Sequence, residues 1–275
     1  MTPENTTTSG APRVDEVRLV IDERRVATVT IDRQHVLNAV DGRTLARLNE
    51  IWAQLEADDT IRAVIITGAG DRAFCAGADM TPDGVEKTGV EYWADGDPNG
   101  FGGLSLRSTL DVPVIARVNG YALGGGMEMV LGADIVIASE NAQFALPEPR
   151  VGRLALDGGI PRLVRRIPYS QAMGMLLTGR KASAAELAGF GLVNEVVALP
   201  DLSEAIERWV SQILLCAPTS VRAVKQIVNR TAHLSASEAR GARLPALMAS
   251  LESSEQHEGV RAFQEKRSPA WAVLS

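Results

Sequence analysis

The chain has 275 residues, of which 45% are hydrophobic and 23% are charged. This balance is typical of a globular protein and excludes a disordered, collagenous or coiled-coil chain. The net charge of −6 gives no overall electrostatic basis for binding nucleic acid or an anionic membrane, so an anionic ligand needs a local basic group.

Cysteine, histidine and hydropathy patterns exclude further classes. Cys75 and Cys216 are the only cysteines, and they form neither a disulfide framework nor, with the three histidines, a set of metal ligands. Residues 1–13 lack the basic and apolar regions of a secretory signal and are expected to be a disordered tail. The most apolar stretch, residues 112–138, carries three charged side chains, too many for a membrane span. The sequence therefore predicts a cytoplasmic protein with no metal, membrane or nucleic-acid partner.

The hydrophobic pattern predicts a β-rich α/β core over about residues 15–150. The first two strands are expected to form a hairpin, and Asp41 can cap a helix whose apolar residues recur at helical spacing from Leu45 to Leu55. Residues 81–103, rich in Pro, Gly, Asp and Asn, are expected to be a surface insertion. The predicted strands are 17–22, 26–32, 63–68, 112–120, 134–139 and 142–146.

From Ile160 the pattern is helical almost to the end of the chain. Apolar residues recur there at intervals of three and four, which is typical of helices with one buried face. The predicted helices are 159–166, 170–178, 183–190, 202–215, 218–231 and 234–265.

Two glycine-rich segments can present backbone N–H groups to a ligand. In GAGDRAFCAGAD (68–79) a Gly-x-Gly-x-x-Ala subset mimics the dinucleotide-binding fingerprint, but no helix opens at these glycines, so we reject that interpretation. A simple turn after a strand remains the alternative, although the small residues Ala76, Gly77 and Ala78 would let a ligand lie against bare N–H groups. NGYALGGGME (119–128) places three glycines at a helix start, where unpaired N–H groups favour negative charge. A flexible turn is the alternative there.

Glu128 and Glu148 are the candidate catalytic residues. Glu128 has apolar neighbours in the sequence, and Glu148 lies between two prolines after an apolar strand. An apolar site raises the pKa of a carboxyl, and two carboxyls in one site push their pKa values apart, so an acid and a base can coexist at neutral pH. Two ordinary surface glutamates are the alternative.

Motifs for other chemistries are missing from the sequence. It contains no G-x-S-x-G elbow, no phosphate-binding loop ending in Gly-Lys-Ser/Thr and no H-E-x-x-H. Backbone donors together with two carboxylates indicate proton transfer beside a polarised carbonyl.

These segments resemble the crotonase superfamily, also called the enoyl-CoA hydratase/isomerase family, over about residues 15–270. The resemblance implies an α/β fold, a crotonase-like spiral of repeated ββα units over residues 14–200. It also implies a helical C-terminal region at 201–275 through which the chain forms trimers or dimers of trimers. The matching segments are AFCAGAD (73–79), PVIARVNGYALGGGMEMVLGADIVIAS (113–139), AQFALPE (142–148), LLTGRKASAAELAGFGLVNEVV (176–197) and EGVRAFQEKRSP (258–269).

The resemblance also implies roles for individual residues. It assigns the two oxyanion N–H groups to Ala78 and Gly125. The two acids of the family's hydratases match Glu128 and Glu148, which keep the hydratase spacing of 20 residues. The residues implied to contact the substrate or its CoA are Val36, Leu37, Ala76, Asp79, Leu156, Phe263 and Lys266, the last two often reaching the CoA of a neighbouring subunit.

Two places depart from the family pattern. LALDGG stands where hydratases often have a Pro-Gly-Ala-Gly-Gly-like turn, and Leu156 replaces a small glycine beside the acyl group, which leaves the length and shape of that group open. Asp157 is an extra carboxylate in this turn, and we expect it to cap the helix that follows. His35 replaces the family's usual basic residue before the first helix.

The sequence therefore predicts an acyl-CoA hydro-lyase that adds water reversibly to the double bond of a 2-enoyl-CoA thioester, with no cofactor besides the CoA of the substrate. Glu128 would activate the water and Glu148 would protonate the α-carbon. Within the family, the alternatives are a carnitinyl-CoA dehydratase and an enoyl-CoA isomerase. Outside that chemistry, they are a nicotinamide-dependent oxidoreductase and a non-catalytic CoA-binding paralogue.

Overall fold

Two sheets form the centre of the computed structural model, which describes residues 16–80 and 89–272. The first has six strands in the order β1-β2-β3-β5-β7-β10, and the second has four in the order β4-β6-β8-β9. The strands are β1 (Val17–Ile21), β2 (Val26–Ile31), β3 (Ala63–Gly68), β4 (Ala73–Cys75), β5 (Val114–Val118), β6 (Tyr121–Leu123), β7 (Ile135–Ser139), β8 (Gln143–Ala145), β9 (Ala182–Ser183) and β10 (Glu195–Val197).

The chain alternates between the sheets and so winds as a spiral. β3, β5 and β7 pair in parallel in the first sheet, and β4, β6 and β8 pair in parallel in the second. Each turn therefore adds one strand to each sheet, which confirms the predicted spiral of ββα units. β1 and β2 form the predicted antiparallel hairpin at one edge.

Helices cover both faces of the six-stranded sheet. Ile115 in β5 and Ile137 in β7 pack against Leu202 and Val210 of α7, while their neighbours in the same strands face the larger core between the sheets. This alternation follows from the two-residue period of a strand. The helices are α1 (Gly42–Ala57), α2 (Gly89–Ala94), α3 (Gly125–Gly132), α4 (Gly159–Arg166), α5 (Tyr169–Thr178), α6 (Ala184–Gly189), α7 (Leu202–Leu214), α8 (Pro218–Thr231), α9 (Ala236–Gly241), α10 (Pro245–Glu252) and α11 (Glu255–Glu265).

Asp41 caps α1 as predicted, because its side chain accepts a hydrogen bond from the N–H of Thr44 at 2.8 Å. Among the residues that the structure describes, no helix is both long and apolar enough to cross a membrane. The expected disordered tail, residues 1–13, lies outside the described residues.

The surface insertion predicted at 81–103 is exposed over residues 89–96, as expected, but it contains secondary structure, and residues 100, 102 and 103 are buried. Residues 81–88 lie outside the described range, but residues 89–94 form α2 and Phe101–Gly103 form a 3-10 turn. Gly102 is buried, and its carbonyl accepts a hydrogen bond from the indole of Trp52 at 2.8 Å. The segment is packed onto α1 because glycines with positive φ let the backbone turn tightly there.

Two predictions for the second half of the chain also need correction. β9 and β10 interrupt the helical pattern after Ile160, and their two and three residues are too few to be recognised from an alternation of side chains. The single helix expected at 234–265 is three helices, because Leu244 is extended before Pro245 and Ser253 is extended after α10. A proline restricts the preceding residue to extended conformations, so a helix seldom continues through it.

Two buried asparagines hold the loop between β3 and β4. The side-chain amide of Asn119 donates to the carbonyls of Gly68, Gly70 and Ala73 at 3.0, 2.7 and 3.1 Å. The amide of Asn38 donates to the carbonyl of Ala73 at 2.7 Å. These bonds give buried donors to carbonyls at the end of β3, in the loop and at the start of β4, and they fix the direction in which the chain enters β4.

Substituting Asn119 with Ala is expected to lower the free energy of unfolding by roughly 2–3 kcal/mol, because buried carbonyls would lose their donor. This corresponds to a fall in Tm of roughly 4–12 °C for a chain of this size, measurable by circular dichroism. Asn141→Ala is the control, since Asn141 is exposed and makes one long contact of 3.5 Å with the carbonyl of Asp71. Equal Tm values for the two variants would contradict the account of this loop.

Candidate active site

Among the described residues, the pairing of its segment leaves the N–H of Ala78 without a backbone partner. Ala78 forms an isolated parallel bridge with Val40. The bridge uses the residues on either side, since Val40 N–H donates to the carbonyl of Gly77 at 2.9 Å and Asp79 N–H donates to the carbonyl of Val40 at 3.0 Å. The N–H of Ala78 takes no part in it and lies beside a large cavity.

Gly125 supplies the second N–H. It is the first residue of α3, where no carbonyl of the helix is available to its N–H. The two groups lie close together, since a Cβ built on Gly77, next to Ala78, would come within 3.4 Å of Gly125 N. The segments that carry the predicted oxyanion donors are therefore adjacent.

The consecutive glycines at 124–126 are required mainly by neighbouring protein atoms. Gly124 has a φ of +54°, and a Cβ there would lie 2.9 Å from Oε1 of Glu148. A Cβ on Gly125 would lie 2.3 Å from the ring of Phe101. The sequence-based explanation, a ligand lying against bare backbone, accounts for the free N–H of Gly125 but not for these contacts.

Glu128 projects from α3 into a buried position. Its side chain is 3% exposed, and its Oε1 accepts a hydrogen bond from the N–H of Gly159 at 2.9 Å, at the start of α4. Burial raises its pKa to about 8, and this effect outweighs the hydrogen bond from Gly159, which lowers the pKa; the nearby carboxylates Asp157 and Glu148 raise it further. Near neutral pH, Glu128 is therefore largely a protonated acid.

Glu148 comes from the segment that follows β8. Burial raises its pKa as well. Its Oε2 is buried and has no hydrogen-bond partner among the described residues. A buried oxygen without a partner is costly unless a ligand or water completes it. Glu148 is thus a carboxyl that is prepared to meet a group in the cavity.

Both glutamates and both oxyanion segments line one cavity of about 810 Å³. This volume is within the range of small-molecule sites. Two cations, Arg150 and Arg153, lie at its wall and provide the local positive charge that the acidic chain needs for an anionic ligand. The other described lining residues that matter for shape are Met80, Val90, Tyr92, Trp93, Phe101, Val151, Leu154 and Leu156.

The expected helix-capping role of Asp157 is wrong. The residue at the N-cap of α4 is Gly158, which makes no side-chain cap bond, and the carboxyl that receives the N–H of Gly159 is that of Glu128. Asp157 instead accepts a hydrogen bond from the hydroxyl of Tyr92 in α2. Burial raises the pKa of Asp157, while this hydrogen bond lowers it. A third carboxyl therefore borders the site.

The residues expected near CoA fall into two groups. Ala76 and Leu156 line the cavity, and the N–H of Ala76 donates to the carbonyl of Leu37 at 3.1 Å. Leu37 and its half-buried neighbour Val36 therefore lie next to the oxyanion segment. His35 is exposed in the same turn.

Phe263 and Lys266 lie away from the cavity within one chain. Phe263 is 85% exposed on α11. Lys266 follows the end of α11 with a φ of +54°, so it is not on the helix and does not share a helical face with Phe263. Their contact with CoA, in a trimer or otherwise, stays a prediction.

Asp79 is buried and forms an ion pair with Arg33 at 3.1 Å, and its contact with the substrate or CoA stays a prediction. Arg33, Tyr92 and Phe101 are parts of the site that sequence reasoning did not select. Their partners are distant in sequence, so no local spacing indicates them. Cys75 is buried beside the site, and burial raises the pKa of its thiol to about 12, so it does not serve as a thiolate nucleophile near neutral pH.

The arrangement favours one kind of chemistry. Two N–H groups can stabilise negative charge on a carbonyl oxygen. Two carboxyls of different pKa can exchange protons with the carbon atoms next to that carbonyl and with a hydroxyl group on them.

Known proteins share this fold and much of this sequence. The chain is 40% identical over 250 residues to a carnitinyl-CoA dehydratase of Proteus mirabilis, covering 90% of this chain and 94% of that protein. It superimposes on the crystal structure of an enoyl-CoA hydratase of Mycobacterium smegmatis with a TM-score of 0.86 and 32% identity, covering 94% of this chain and 100% of the other. An enoyl-CoA hydratase of Bacillus anthracis gives a TM-score of 0.85 at 30% identity, with coverage of 93% and 98%.

The sequence model of the enoyl-CoA hydratase/isomerase family matches residues 22–273. Given this match, the level of identity to its relatives and the shared fold, the chain belongs to the enoyl-CoA hydratase/isomerase family, as its motifs predict.

Proposed function

We propose that the protein is an acyl-CoA hydro-lyase that interconverts a 2-enoyl-CoA and water with a 3-hydroxyacyl-CoA. The observation that carries the proposal is the presence of a buried carboxyl, Glu128, and a half-buried one, Glu148, in one cavity with the N–H groups of Ala78 and Gly125. The thioester oxygen would accept hydrogen bonds from both N–H groups. Charge that develops on this oxygen when the α-carbon gains or loses a proton would be stabilised there.

The protonation of the pair supports a division of labour. With Glu128 protonated and Glu148 ionised, Glu148 removes the α-proton and Glu128 protonates the departing β-hydroxyl, which leaves as water. Hydration uses the opposite tautomer, in which Glu128 removes a proton from water and Glu148 delivers one to the α-carbon. The elevated pKa of Glu128 favours its protonated form, as the first tautomer requires.

The fold also supports an assembly beyond one chain. Val224 and Val228 of α8 are each 63% exposed, and Phe263 of α11 is 85% exposed. These apolar side chains lie in the helical region expected to form trimers. We propose a homotrimer or a dimer of trimers, in the cytoplasm, as the working form.

Glu128→Gln and Glu148→Gln are each expected to lower kcat about 10²–10⁴-fold, because each removes a positioned acid or base. KM should change little, since an amide keeps the shape of the side chain. Steady-state assays with crotonyl-CoA and 3-hydroxybutyryl-CoA measure both directions. Glu140→Gln, at an exposed residue outside the cavity, is the matched control. A variant that keeps near wild-type kcat removes its glutamate from the mechanism.

The pH dependence of kcat/KM is expected to be bell-shaped. Activity should fall as the pH rises through about 8, where Glu128 loses the proton that the pair shares. It should also fall in acid, at a pH above 4.5, because the pKa of Glu148 is raised from that value. The pH profiles of kcat/KM for hydration and for dehydration must show the same two limbs. The ratio of the two kcat/KM values is the equilibrium constant, and this does not vary with pH because the reaction releases no proton.

Glu128→Gln should remove the alkaline limb from its residual activity. If the alkaline limb persists unchanged in this variant, another group causes it, and the assignment of the limb to Glu128 is contradicted.

A second candidate is the dehydration of a cationic acyl group, as in carnitinyl-CoA. Next to the main cavity lies a smaller one of about 240 Å³, and the ring of Tyr92 borders both cavities. Its described lining contains one cation, Arg153, and the carboxylates of Asp41, Asp79, Asp95, Asp97 and Asp157, of which Asp41 and Asp79 pair with Arg33. Aromatic rings and carboxylates are the groups that favour a quaternary ammonium. The 40% identity to a carnitinyl-CoA dehydratase supports the same candidate.

A matched pair of substrates separates the two candidates. Carnitinyl-CoA and 3-hydroxy-5,5-dimethylhexanoyl-CoA differ by the exchange of the quaternary nitrogen for carbon. For a cationic substrate class we expect kcat/KM at least about tenfold higher for carnitinyl-CoA, and a reduced ratio in Asp157→Asn, since desolvated cation–π and charge contacts contribute roughly 1–2 kcal/mol. Equal values for the two compounds would contradict the cationic candidate and favour a neutral acyl group.

A further inference from the structure

The segment that carries the donor of Ala78 is joined to residues 37–40 by backbone hydrogen bonds, one from Ala76 to Leu37 and two at the bridge with Val40. Two hydrogen bonds of 2.9 and 3.0 Å join the segments, one on each side of the N–H that faces the cavity. A displacement of either segment would therefore move that N–H relative to the N–H of Gly125.

A single guanidinium spans this bridge. Arg33 pairs with Asp41, which follows Val40, and with Asp79, which follows Ala78, each at 3.1 Å. Its Nη1 also donates to the carbonyl of Ala39 at 2.7 Å. The planar guanidinium thus contacts both strands of the bridge, and its geometry suits several acceptors at once.

The ion pair of Arg33 and Asp79 is almost closed to water. Arg33 is 6% exposed and Asp79 is 5% exposed. A further carboxylate, that of Glu16, lies 3.1 Å from Nε of Arg33. Losing the cation would remove the Arg33 ion pair from the buried carboxylate of Asp79 and from the partly exposed carboxylate of Asp41, and weakening a buried ion pair favours movement or protonation of the carboxylate. Either response would displace the residue next to the oxyanion donor.

We infer that Arg33 is a positioning residue for the oxyanion hole, which sets the place of the Ala78 N–H through Asp79 and Asp41. This inference rests on the proposed hydro-lyase function, because it assigns Ala78 a donor's role in catalysis. A misplacement of about 1 Å in a catalytic group can cost about 10²-fold in rate. An oxyanion donor acts mainly on the transition state, so the loss belongs in kcat rather than in KM.

Arg33→Lys tests the inference, because lysine keeps the charge but offers one ammonium in place of the fork. We expect kcat to fall at least tenfold with KM within about threefold of wild type. Asp79→Asn is the second variant; it keeps Arg33 and its pairs with Asp41 and Glu16, and should lower kcat several-fold. If Arg33→Lys does not fold, the kcat of Asp79→Asn tests the positioning role in its place.

The control is Arg222→Lys. Arg222 is a largely buried arginine whose guanidinium donates to the carbonyls of Asp58, Asp59 and Ile61, remote from the cavity. We expect it to lose Tm to a similar degree without loss of kcat. Equal losses of kcat in the two arginine variants at equal Tm would mean a general effect of stability and would overturn the inference.

A spectroscopic readout reports the carbonyl directly. A cinnamoyl-CoA thioester with a para-dialkylamino donor absorbs at longer wavelength when its carbonyl is polarised. We expect the red shift on binding to wild type to be reduced in Arg33→Lys and in Asp79→Asn, and unchanged in Arg222→Lys and Glu148→Gln.

The outcomes separate this inference from the proposed function. Wild-type protein that shifts the spectrum but neither hydrates nor dehydrates any acyl-CoA refutes the hydro-lyase function and leaves the positioning role intact. Active wild type with unchanged kcat and unchanged red shift in both Arg33→Lys and Asp79→Asn refutes the positioning role alone.

Discussion

The site depends on one constraint: two backbone N–H groups from different turns of the spiral must meet at one point with no partner of their own. Within the part of the chain that the structure describes, the bridge at Val40 leaves the N–H of Ala78 free, and the start of α3 leaves that of Gly125 free. Because an unpaired buried N–H is costly, both must border a space that a ligand fills. The surrounding packing holds the two segments next to each other. It includes the contact of Phe101 with Gly125 and the loop before β4 that the asparagine side chains hold.

The carboxyls follow from the same placement. α3 begins at the oxyanion donor, so its first turn carries Glu128 into the interior, where burial raises the pKa to about 8. Glu148 arrives from β8, the strand that pairs with β6 just before α3. One helix start thus brings together the N–H and the carboxyl that the proposed mechanism assigns to the carbonyl oxygen and to the β-carbon. The paired carboxyls and the N–H groups are parts of a single local arrangement.

Much of this could be predicted from the sequence, because the relevant signals are local. The hairpin, the cap at Asp41 and the glycines before Glu128 each depend on a few consecutive residues. Contacts between distant segments could not be predicted. Tyr92 and Asp157 are 65 positions apart, and helix-capping logic gave the wrong role to Asp157 because a buried glutamate from α3 already occupies the start of α4.

Short or interrupted elements were the other source of error. β9 and β10 have too few residues to show a period. The break before Pro245 was present in the sequence, since proline restricts the residue before it, but the apolar periodicity on both sides hid it. The left-handed conformation of Lys266 carries no sequence signal, because lysine has no preference for it.

Isotope exchange tests most directly whether this arrangement moves water. The enzyme is incubated with a 3-hydroxyacyl-CoA in H₂¹⁸O and in D₂O, and the substrate is analysed by mass spectrometry. The account predicts ¹⁸O in the β-hydroxyl and deuterium at the α-carbon with wild type, and loss of the ¹⁸O in both Glu128→Gln and Glu148→Gln. Deuterium exchange without any ¹⁸O incorporation in wild type would contradict a hydro-lyase and indicate proton transfer alone.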